Sequence, residues 1–155
     1  MNANQDLETK ARSSLDMLQR HGLNSPLVDS DALIYGVDNN IFTKEQVNDM
    51  ARAFLITDAE NALDMITRHG VSGVAVDRAA LNYGLKNGVF DQSAIDAAQR
   101  QYQQSSSKDA LDMITRHGVS GVAVDRAALV YGVINNIFTH GDIVRAQSQY
   151  KATKK

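Results

Sequence analysis

The sequence predicts an all-α fold made of three tandem 48-residue repeats, each of three helices, stacked as a short α-solenoid or as a compact nine-helix bundle. Three observations carry this. The stretch ALDMITRHGVSGVAVDRAAL at 62–81 returns letter for letter at 110–129, and a diverged copy, SLDMLQRHGLNSPLVDSDAL, occupies 14–33, so the offset is 48 residues both times. Self-similarity at a fixed period marks a repeat architecture. A single proline and ten glycines in 155 residues leave too few turn signals for an all-β chain. Finally, apolar residues recur at helical spacing, as at Leu63, Ile66 and the His69 ring. The repeats are placed at 1–55, 56–104 and 105–150, with 151–155 as a basic tail expected to be disordered and the whole as one structural domain.

The first helix of each repeat ends at Gly22, Gly70 or Gly118, a residue suited to the left-handed C′ position. In the first repeat it starts near Asp6. In the second it is expected to open near Thr57, which has capping-box spacing to Glu60, and in the third near Ser106, three residues before Asp109.

The second helix follows Asp29, Asp77 or Asp125 as N-cap. Val28 with Leu33, Val76 with Leu81 and Val124 with Leu129 have the spacing of a hydrophobic staple. Ser25-Pro26 offers a rival start in the first repeat alone. Asn39, Asn87 and Asn135 end this helix, each followed by Asn or Gly.

The third helix opens at Thr43, Asp91 or Thr139, stapled by Phe42 to Val47, Phe90 to Ile95 and Phe138 to Ile143. Polar links at 56–59 and 103–108 then lead to the next repeat. A single repeat of this size buries too little apolar surface to stand alone, so neighbours are expected to stack.

Fourteen positions are identical in all three repeats; in the first they include Asp16, Arg20, His21, Gly22, Tyr35, Gly36, Asn39 and Phe42. Asp16 and Arg20 form an i, i+4 pair on a helix surface. His21 falls in a last helical turn, where the helix dipole favours an imidazolium. Gly36, Gly84 and Gly132 lie inside helices, where glycine is about 1 kcal/mol worse than alanine. Something must offset that, and the close approach of a neighbouring helix or backbone, with Tyr35, Tyr83 or Tyr131 beside it, is the expected reason.

Net charge is −2, with 16 basic and 18 acidic residues, unlike a domain built to grip phosphate backbones. The absence of cysteine excludes a disulfide scaffold, a thiolate nucleophile and a Cys-based zinc site. One conserved-position histidine per repeat supplies no convergent ligand set, so no metal or cofactor is expected. No apolar run reaches the length of a membrane span or resembles a leader. The expected compartment is the cytoplasm, with export that reads no cleavable hydrophobic signal as the alternative.

Three motifs bear on function. RHGLNSP at 20–26 resembles the RHG-x-R-x-P motif of histidine acid phosphatases, but Asn24 stands at the second arginine and the other repeats lack the proline. YGVDNNIFTKEQV at 35–47 resembles an EF-hand, with a loop far short of twelve residues. IxxxGVSxxxVxR, at 66–78 and 114–126, is similar to helix-turn-helix segments. That resemblance implies Arg78 and Arg126 as DNA-contacting residues.

The repeats differ on the second helix. Asn82 and Lys86 stand where the third repeat has Val130 and Ile134, and with Val133 and Ile137 these give an apolar strip wider than one buried face needs. Either the segment around Tyr150 covers the strip or another chain does. The expected function is a non-enzymatic helical-repeat module mediating protein–protein interaction or self-association through Val130, Ile134, Asn82 and Lys86. DNA binding through the helix-turn-helix-like turns is the alternative.

Overall fold

A computed structural model of the chain describes residues 3–154. Among them it contains seven helices and no strand: α1 (Ala3–His21), α2 (Ser30–Asp38), α3 (Lys44–His69), α4 (Arg78–Lys86), α5 (Gln92–His117), α6 (Arg126–Ile134) and α7 (His140–Thr153). The fold is all-α. No helix among the described residues is long and apolar enough to cross a membrane.

Seven helices, not nine, follow from two fusions. The expected breaks at 56–59 and 103–108 do not occur; Thr57 lies inside the 26-residue α3, and Ser106 inside the 26-residue α5. Neither stretch contains glycine or proline, so nothing forces the backbone out of the helical region. A break would also orphan four N–H and four C=O groups per link, which capping by Thr57 or Ser106 would only partly satisfy. Capping-box spacing is a start signal only where the preceding chain cannot itself continue the helix. At the C-terminal end α7 runs through Thr153, so Lys151 of the basic tail is helical and Lys154 is the C-cap; Lys155 lies outside the described residues.

The short helices begin where the aspartates predict. Asp29, Asp77 and Asp125 are extended N-caps whose side chains accept from the N–H of Ala32, Ala80 and Ala128. They end at Asn39, Asn87 and Asn135, followed by left-handed Asn40 (φ 57°), Gly88 (φ 70°) and Asn136 (φ 59°). The asparagine side chain adds a bond: Nδ2 of Asn39, Asn87 and Asn135 donates to the carbonyl of Tyr35, Tyr83 and Tyr131, at 2.9 Å each time. Thr139 and Asp142 form a complete capping box at the start of α7, and Thr43 with Gln46 forms the matching pair before α3.

The chain divides into two compact units. One gathers the chain up to Ala62 with Asp77–Asp91; the other gathers Leu63–Val76 with the chain from Gln92 onward. In the first, α1 packs on α2 around Ala11, Leu18, Val28, Leu33 and Phe42. Ser14 ties the two helices: its hydroxyl donates to the Asp29 carbonyl (2.8 Å) and accepts from the Asp29 N–H (2.9 Å). In the second, α5 packs on α6 and α7 around Ala110, Ile114, Leu129, Phe138 and Ala146. There the buried Ser107 donates to the Ala128 carbonyl at 2.7 Å.

Candidate interaction surface

α6 is pinned at both ends, by Asp125 and Asn135, and turns Ala128, Leu129 and Gly132 inward. Helical geometry then sends Val130 and Ile134 outward, and they are 56% and 71% exposed, with Val133 and Val144 also exposed in the same compact unit. Ile137 instead packs against the core. The Tyr150 ring lies on Gly118, where a Cβ would stand 2.7 Å from Cε2. On α4 the same positions hold Asn82 and Lys86, both exposed, above inward Ala80, Leu81 and Gly84.

The first repeat carries a surface that sequence reasoning missed. A cavity of about 410 Å³ opens between α2 and the start of α3, walled by Leu23, Leu33, Ile34, Val37 and Val47. Two substitutions set the first repeat apart from the others in this region. Ser30 occupies the position of Arg78 and Arg126, and Ala51 that of Gln99 and Gln147. Those glutamines matter: Gln99 Oε1 accepts from the Val71 N–H and Gln147 Oε1 from the Val119 N–H, both at 2.7 Å. Alanine at 51 can make no such bond to the loop, and Leu23, the counterpart of those valines, is 57% exposed.

The invariant helical glycines make room for aromatic rings. Gly36, Gly84 and Gly132 face the rings of Phe42, Phe90 and Phe138, and a Cβ at Gly36 would lie 2.6 Å from Phe42 Cε2. The approaching group is thus a staple side chain from the tight connection, where a neighbouring helix or backbone was expected. Gly22 (φ +86°) does both jobs at once, adopting the left-handed C′ conformation while Phe54 packs on it.

The charged candidates are exposed. Asp16 pairs with Arg20 at 3.1 Å on the exposed face of α1, and Asp64–Arg68 and Asp112–Arg116 repeat that geometry. His21 is the exposed last residue of α1. Arg78 and Arg126 are exposed first residues of α4 and α6. Beside the start of α4, the Asp58 carboxyl is raised above its ordinary value, chiefly by burial, then by the negative charge of Asp77, then by a hydrogen bond to Asp77. A phosphate approaching Arg78 would therefore meet two neighbouring carboxyl groups.

Compared with known protein families, curated proteins and solved structures, the chain matches none.

Proposed function

We propose that the protein is a non-enzymatic module that binds another protein, its three repeats acting as the tandem units of a short α-solenoid and its contact surface centred on Val130 and Ile134, with Asn82 and Lys86 as the polar counterpart in the second repeat. The observation that carries the reading is the exposure of Ile134, at 71%, beside Val130 and Val133 on one helix. Contiguous apolar side chains left in water are the usual mark of an interaction site. The capped ends of α6 hold that face in place before a partner arrives, which lowers the ordering cost of binding. The test is a pull-down from the native host with wild type and with Val130→Asp plus Ile134→Asp. Loss of a captured protein, at unchanged helicity, supports the reading; retention of every captured protein contradicts it.

A second reading, DNA binding, is favoured by the placement of Arg78 and Arg126 as exposed first residues of α4 and α6. It requires duplex binding that weakens steeply with salt and falls in Arg78→Ala plus Arg126→Ala. No shift of duplex DNA at low salt removes it.

A further inference from the structure

We propose that Asn87 is a site of spontaneous covalent modification: the Gly88 backbone nitrogen closes onto the Asn87 side chain, converts it to aspartate or isoaspartate, and so releases the end of α4. The proposal stands apart from the protein-binding reading.

The three short helices supply an internal comparison. Each ends on an exposed asparagine, Asn39, Asn87 or Asn135, whose Nδ2 donates to a tyrosine carbonyl at 2.9 Å. Each asparagine is followed by an exposed residue with positive φ. The identity of that following residue is what differs. In the first and third repeats it is Asn40 and Asn136, whose N–H groups donate to the carbonyls of Val37 and Val133, both at 3.2 Å. In the second it is Gly88, whose N–H makes no hydrogen bond to the described residues. A Cβ at Gly88 would meet nothing within 4 Å, so the nitrogen lies in open surroundings. Asn87–Gly88 is also the one Asn-Gly pair in the sequence. Asn24–Ser25 has a small following residue in a loop as well, but the Ser25 N–H donates to the Gly22 carbonyl at 3.2 Å.

The chemistry favours Asn87 for three reasons. The attacking nitrogen must shed its proton, and a hydrogen bond to that proton has to be given up first at Asn40 and Asn136 but not at Gly88. Glycine carries no side chain to hinder the approach and turns freely about its backbone bonds. The nucleophile and the amide carbon are held one residue apart, which makes the step unimolecular. The Asn87 side chain must leave the Tyr83 carbonyl before it reacts, a requirement common to all three sites.

In the reaction a bond forms between the Gly88 nitrogen and Asn87 Cγ, and the Cγ–Nδ2 bond breaks. Nδ2 departs as ammonia, carrying the proton that the Gly88 nitrogen lost. Water then opens the cyclic imide. Opening at Cγ yields aspartate; opening at the backbone carbonyl yields isoaspartate, which routes the main chain through Cβ. Either product loses the donor to the Tyr83 carbonyl and puts a carboxylate at the C-terminal end of α4, where the helix dipole disfavours it. Isoaspartate also lengthens the chain just before Val89, whose N–H donates to the Gly84 carbonyl at 2.9 Å.

Peptide mapping by mass spectrometry, after the folded protein is incubated at mildly alkaline pH, reads replacement of the amide by a carboxyl at each asparagine. Asn87 is expected to convert roughly tenfold or more faster than Asn39 and Asn135. Gly88→Asn gives the second repeat the Asn-Asn pair of the other two, in a left-handed conformation that asparagine already adopts at Asn40 and Asn136. That variant is expected to bring Asn87 down to their rate. Asn87→Asp, which reproduces one product, is expected to lower the urea midpoint. Asn87 intact, or converting no faster than Asn39 and Asn135, overturns the proposal, as does an unchanged rate in Gly88→Asn. An unchanged midpoint in Asn87→Asp overturns the release of α4.

Discussion

The ring of Phe42 lies against the Cα of Gly36 so closely that any Cβ there would stand 2.6 Å from Cε2. The same contact recurs between Gly84 and Phe90 and between Gly132 and Phe138. A residue just past each short helix thus folds back onto the helix it follows. The backbone takes part too, since the N–H of Ile41, Val89 and Ile137 donates to the carbonyl of Gly36, Gly84 and Gly132 at 2.8–2.9 Å.

Alanine at these glycines should therefore destabilise, against its helix propensity. Propensity favours Gly132→Ala by about 1 kcal/mol, while overpacking of a fitted contact costs about 1–3 kcal/mol. Gly132→Ala is expected to lower the urea midpoint, and Gly132→Ala with Phe138→Leu to recover part of the loss. A rise in the midpoint for the single variant would show that the ring yields freely.

The glutamine-to-loop bonds should be separable and transferable. Gln147→Ala removes the acceptor of the Val119 N–H and is expected to cost about 1 kcal/mol. Ala51→Gln offers the first repeat the bond it lacks and is expected to raise stability, or leave it unchanged if the Leu23 loop cannot close. Denaturant titration reads both.

Thr57→Ala distinguishes a helix start from a helix interior. Loss of a genuine N-cap costs about 1 kcal/mol, and Asp77→Ala is expected to show that loss. Thr57 lies mid-helix in α3, where alanine is the better helix former, so Thr57→Ala is expected to be neutral or stabilising by a few tenths of a kcal/mol. Equal losses for the two variants would restore a break at 56–59.

Asp58 gives the fold a predictable pH response. Its folded carboxyl holds its proton more tightly than in the unfolded chain, because burial and Asp77 disfavour the charged form. Its stabilising contribution is therefore full below the ordinary carboxylate value and is lost as pH rises through the raised folded value. Asp58→Asn is expected to stabilise at neutral pH, by less than about 1 kcal/mol since the group is only half-buried, and to flatten stability over that acidic window. A stability difference independent of pH would contradict the pairing with Asp77.

Local signals in the sequence located most of the short-helix boundaries. An aspartate before each short helix and an asparagine after it can be read without tertiary information, because caps act within three or four residues. The two fusions were not legible from Thr57 or Ser106, since a residue that can cap is equally able to sit inside a helix, and only the surrounding chain decides. The reason for Gly36 was half legible. An interior glycine announces a close approach, but whether a ring, a helix or a backbone arrives depends on the turn that follows. The exposed face of α6 was visible in the change from Asn82 and Lys86 to Val130 and Ile134. The cavity beside α2 was not, because its lining includes Ser30 where the other repeats have arginine, and a lost side chain leaves no periodic signal.

The chain contains no cysteine, so Ile134→Cys places a single reporter on the face at the centre of this account. Its reaction with a thiol reagent is expected to proceed at the rate of a free thiol when the protein is dilute, and to slow progressively as concentration rises or when the captured partner is added. A rate that is hindered at the lowest concentration, or indifferent to both additions, would contradict the assignment of α6 as a binding surface.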